Sequence, residues 1–68
     1  MNKNKPVTTI LNELFHENCS YYQFNIMDLP KITADAESIL RGGGTIEAAT
    51  NSIINMREKY KIISKGKQ

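Results

Sequence analysis

An all-α fold is what this sequence predicts: a small, dimeric bundle of three to four helices built on a long C-terminal helix. Three features of the chain carry that expectation. Ile46, Ala49, Ile53, Met56, Tyr60 and Ile63 recur at alternating spacings of three and four, a heptad pattern with no Pro or Gly inside it. Val7, Ile10, Leu11, Leu14 and Phe15 form a second stripe at helical spacing. Gly42, Gly43 and Gly44 separate the last helix from everything before it.

The chain has 68 residues and is read as a single small helical domain, 1–68. Residues 1–5 read as a flexible polar arm. Pro6 suits the first turn of a helix, where its missing N–H is no loss, and the stripe that follows extends that helix to about Glu17.

The stretch 18–28 reads two ways. Ser20, Tyr21, Tyr22 and Gln23 resemble a capping box that would start a short helix at Tyr21. Tyr22, Phe24 and Ile26 alternate with polar residues, which favours a strand. With no convincing second strand to pair with, a short helix or helical turn is expected.

Asp28 and Pro30 then mark a helix start, although a later start at Thr33 fits equally. From that later start, Asp35 and Glu37 would lie near the positive end of the helix dipole. Leu29, Ile32, Ala36, Ile39 and Leu40 share one face of this helix. Arg41 sits in its last turn, and the glycines supply a left-handed C-cap and a joint for antiparallel packing. Thr45 is a suitable N-cap for the final helix, expected to run to Ile63 over about 27 Å. Residues 64–68 read as a flexible basic tail.

Composition excludes several function classes. Cys19 is the one cysteine and His16 the one histidine, too few ligands for a structural zinc site, and no intrachain disulfide can form. No metal and no cofactor are expected. The apolar runs fall short of a membrane span, and the basic start lacks the apolar core of a signal peptide. A cytoplasmic protein with no membrane partner is expected, and the abundance of Asn, Ile and Lys suits an AT-rich bacterial, phage or plasmid genome. No catalytic residues are assigned. His16 lies on the polar side of its helix, a Cys/His pair needs an orienting group and an oxyanion hole, and Asp35 and Glu37 are two apart and diverge.

A small chain gains little from its own core and commonly needs oligomerisation or a partner. The expected function is therefore that of a small non-enzymatic interaction protein. It would be a regulator or inhibitor that forms a homo-oligomer and binds a larger protein partner. Ile46, Ala49, Ile53, Met56 and Tyr60 would form the seam, with the aromatic cluster Tyr21, Tyr22 and Phe24 beside it. One alternative is that this heptad face is the internal core of a monomer, although a homodimer or partner-bound bundle is favoured. Ala48, Ile54 and Ile62 widen it beyond what one helix can cover.

The alternative is a nucleic-acid-binding regulator using Arg57, Lys59, Lys61, Lys65 and Lys67, which gather near the C-terminus. A helix after a glycine turn superficially fits a helix-turn-helix, yet the N-terminal half of that helix carries Glu47 and no Lys or Arg. A weaker alternative is an oligomer binding a small anionic ligand or nucleotide at Gly42–Thr45, although no phosphate-loop Lys follows.

Overall fold

The computed structural model describes residues 5–64, and of Ile63 and Ser64 the backbone alone. Three helices are present among the described residues: α1 (Val7–Cys19), α2 (Leu29–Arg41) and α3 (Ile46–Tyr60). A single 3₁₀ turn, Ile26–Asp28, leads into α2. The fold is all-α, with one departure. Strand β1 (Tyr22–Gln23) pairs antiparallel with β2 (Ile63–Ser64), Tyr22 opposite Ser64 and Gln23 opposite Ile63.

This ladder corrects two expectations. Residues 21–24 are not a short helix, because Ile63 and Ser64 provide the missing second strand within the same chain. The last helix stops at Tyr60, not Ile63: Lys61 turns to extended backbone (φ −64°, ψ 142°), and the Ile62 N–H donates to the Gln23 carbonyl at 2.7 Å. A backbone N–H that finds a strand partner no longer needs the helix.

Helix α1 begins one residue later and ends two residues later than expected. Pro6 is the N-cap, and its carbonyl accepts from the N–H groups of Thr9 and Ile10, both at 3.1 Å. The helix continues past Glu17 because Cys19, at 2% exposure, belongs to the core. Lys5, expected in a loose arm, instead pairs with Glu13 at 3.0 Å. The rest of that arm, residues 1–4, and of the tail, 65–68, lies outside the described residues.

Helix α2 takes the earlier of its two possible starts, with Asp28 as N-cap and Pro30 in the first turn. Asp35 is thus mid-helix rather than near the helix N-terminus. Its carboxylate accepts a 2.8 Å hydrogen bond from the Ser52 hydroxyl of α3. At its C-terminus Gly43 adopts φ +89°, the left-handed conformation that glycine tolerates best. Gly44 N–H donates to Ile39 C=O at 2.7 Å and Gly43 N–H to Leu40 C=O at 3.2 Å, a complete Schellman motif. A Cβ at Gly44 would lie 2.8 Å from the Ile39 carbonyl oxygen, so this position requires glycine for space. Thr45 then caps α3, its hydroxyl accepting from Ala48 N–H at 3.0 Å.

The turn folds α3 back onto α2, and these two helices share the most extensive contact. Ala36 and Ala49 have no exposed surface, and Ile32 and Ile53 are the largest side chains completely buried. Alanine at those positions lets the helices approach closely, and the two isoleucines fill the seam. Leu11, Leu14 and Cys19 of α1 complete the core.

Ile53→Ala should remove about 3 kcal/mol of stability, the usual result of deleting a buried aliphatic side chain. A domain of this size has roughly 3–10 kcal/mol in total. Urea unfolding followed by helical circular dichroism should show the midpoint falling sharply. The same change at half-exposed Ile46 (49%) should shift it much less.

Candidate interaction surfaces

The cations assigned to nucleic acid are differently placed. Arg57, with an 18% exposed side chain, donates from Nη1 to the Asn18 carbonyl of α1 at 2.7 Å. Its guanidinium lies 4.5 Å from the centre of the Tyr22 ring, a cation–π contact. Nε and Nη2 reach Glu58 Oε2, both at 3.0 Å. Arg57 thereby satisfies a carbonyl at the end of α1, holds β1 against α3 and pairs with its neighbour. All three of its guanidinium nitrogens make contacts within the fold.

Lys61 closes the same cluster from the strand side, 5.5 Å from the Tyr22 ring and 2.9 Å from Glu58 Oε1. Hydrogen bonds from Lys61 and Arg57 hold the Glu58 carboxyl below its usual range. Lys59 lies 5.6 Å from the Tyr60 ring, and Lys65 and Lys67 are outside the described residues. Between residues 5 and 64 the chain has six Lys and Arg against seven Asp and Glu, so this part of the molecule is not a basic surface.

The apolar candidates divide by burial. Ala49 and Ile53 have no surface left to offer a second molecule, and Met56 and Tyr60 pack partly buried against the core. Tyr22 and Phe24 are half-buried, Phe24 with its ring centre 6.0 Å from that of Phe15. Of the residues expected at an interface, only Tyr21 (69%) and Ile46 (49%) are largely exposed.

More exposed than either are two residues that sequence reasoning passed over, Ile26 (80%) and Met27 (82%) on the 3₁₀ turn. Ile62 is also exposed. Beside the turn, an open groove of about 300 Å³ runs between α1 and α2, lined by Asn12, Phe15, Leu29, Pro30 and Thr33. Ile26 belongs only to the Tyr22/Phe24/Ile26 alternation, and Met27 belongs to no periodic stripe. No sequence signal marked them as exposed, because an apolar residue just before an N-cap commonly packs back onto its helix.

The remaining chemistry-bearing residues are quickly placed. Cys19 is buried, and burial raises its thiol pKa against a weaker opposing pull from the Arg57 charge, so it is protonated at neutral pH. No group of three or more His, Cys, Asp or Glu among the described residues could hold a metal ion. At the glycine turn, the Gly43 and Gly44 N–H groups are used by α2, and Glu47 occupies the first turn of α3. Among the described residues no helix is long and apolar enough to cross a membrane.

Arg57→Met should cost about 2 kcal/mol, since a carbonyl at the end of α1 loses a charged donor. It should also speed labelling of Cys19 by a thiol reagent in native buffer, because Cys19 directly follows Asn18. Acid should loosen the strand pair before the helices. Glu58 has a lowered folded pKa, so its contribution is present above its ordinary value of 4.5 and is lost as pH falls through the lowered one. Amide exchange at Ile62, followed by NMR down an acid series, should reveal this.

Comparison with known proteins finds no family model that matches the chain, no matching curated protein and no matching solved structure.

Proposed function

We propose that this chain is a small non-enzymatic interaction protein of the bacterial cytoplasm. It acts as a regulator or inhibitor, phage- or plasmid-encoded, that self-associates and occupies a surface on a larger protein. The supporting observation is the set of large apolar side chains left in water, Tyr21, Ile26, Met27, Ile46 and Ile62, on a domain with a core of only a few residues. Scattered exposed apolar residues are ordinary. Here the exposed residues rival the buried ones in size, and three of the five fall on the short link between α1 and α2.

The charge pattern favours this reading over nucleic-acid binding. Five of the six cations between residues 5 and 64 (Lys5, Lys31, Arg41, Arg57 and Lys61) sit within 3.4 Å of a carboxylate. Such pairs offer a phosphate little net attraction.

The test is the solution mass by light scattering, at low and high salt with nucleic acid removed, combined with capture of partners by the tagged chain. An oligomer insensitive to salt is expected, together with a stoichiometric protein retained at high salt. Binding to nucleic acid that disappears with salt, and with Lys59→Gln, Lys65→Gln and Lys67→Gln together, would overturn the proposal in favour of a nucleic-acid regulator. Arg57 is left out of that variant because its loss would damage the fold.

A further inference from the structure

Helix α2 ends on a glycine turn, but α3 ends with no residue that stops a helix. Its C-cap is Lys61, and Ile62, Ile63 and Ser64 follow before the first glycine, Gly66. The apolar period of α3 runs on through Ile63. The backbone leaves the helix at one group. The Lys61 N–H still makes a helical bond, donating to the Arg57 carbonyl at 2.9 Å. The next N–H, that of Ile62, would reach the Glu58 carbonyl four residues back if the helix continued. It donates to the Gln23 carbonyl at 2.7 Å instead.

Little separates the two choices. The strand state consists of two residue pairs, and Ile62 leaves 59% of its surface in water. Its advantages are the β-branched Ile62 and Ile63 and the Tyr22 ring, which lies against both Arg57 and Lys61. A further helical turn would regain intrahelical hydrogen bonds. It would also keep the Lys61–Glu58 ion pair, because i,i+3 neighbours meet on a helix face.

We propose that residues 61–64 are a two-state element. In the closed state they form the strand paired with β1, and in the open state they add one turn to α3. The Ile62 N–H exchanges its acceptor from Gln23 to Glu58, and Tyr22 is the latch of the closed state. Opening bares the hydrogen-bonding edge of Tyr22–Gln23 and lengthens the apolar stripe of α3 by one position. The device therefore sets two surfaces at once, whatever the chain binds. A gap of a few hydrogen bonds and one ring contact places roughly 0.1–10% of molecules in the minor state.

The test is saturation-transfer NMR on the isotopically labelled full chain, read at the amides and Cα carbons of Gln23 and residues 61–64. The wild type should show a minor state in which the Cα shifts of 61–64 are helical. Ile62→Ala with Ile63→Ala replaces two strand formers by the best helix former and should raise that population at least fivefold. Tyr22→Ala, which removes the latch, should act in the same direction. Ile62→Val with Ile63→Val should leave the population near that of the wild type. Unchanged amide protection at Ile53 in each variant shows that the three-helix body is intact.

Random-coil shifts in the minor state would mean that the strand merely frays, and would overturn the proposal. So would the lack of any minor state in the wild type, or a segment that stays extended in both the alanine pair and Tyr22→Ala.

Discussion

The close approach of α2 and α3 is the constraint on which the rest of the molecule depends. Ala36 and Ala49 present no more than a methyl group, and Ile32 and Ile53 fill the space between the helices without exposure. The Schellman turn holds this pairing in place. Gly44 must pass so near the Ile39 carbonyl that no side chain fits, and Thr45 starts the next helix at once. Ser52 and Asp35 add one hydrogen bond across the seam, at its edge, where the Asp35 carboxylate keeps its water. Helix α1 then lays Leu11, Leu14 and Cys19 against a pair that already exists.

The opposite end of the molecule is held by a polar device. Arg57 reaches from α3 to the last turn of α1 and lies over Tyr22, and Lys61 and Glu58 complete the cluster. Two-residue strands are not stable by themselves. What keeps β1 and β2 together is the shared ring of Tyr22 and the charges above it, which tie the exit of α3 to the exit of α1. A cluster of basic residues near a C-terminus thus has a structural use, and its charge cannot be read directly as an affinity for phosphate.

The helices were legible in the sequence because each bears a periodic stripe and a chemical start (Pro6, Asp28 with Pro30, and Thr45), and the three glycines also end α2. The strand pair was not legible, because its two halves lie about forty residues apart and each is only two residues long. The heptad run Ile46–Ile63 was misleading at its end. Its period continues through Ile63, but nothing local in the sequence records that the Ile62 N–H will be taken by Gln23. Burial showed the same limit. Ala49 and Ile53 look alike whether they face α2 or a second molecule, and only the assembled fold gives them to α2.

The exposed residues carry information because the domain is small. Ile26 and Met27 leave four-fifths or more of their surface in water, so they add little buried area to a core with few positions. Their place on a 3₁₀ turn explains why they cannot both turn inward. Side chains around a three-residue turn point about 120° apart, and here both point to water. Ile26 and Met27 thus leave apolar surface in water a few residues from Leu29, which with Phe15 lines the groove between α1 and α2.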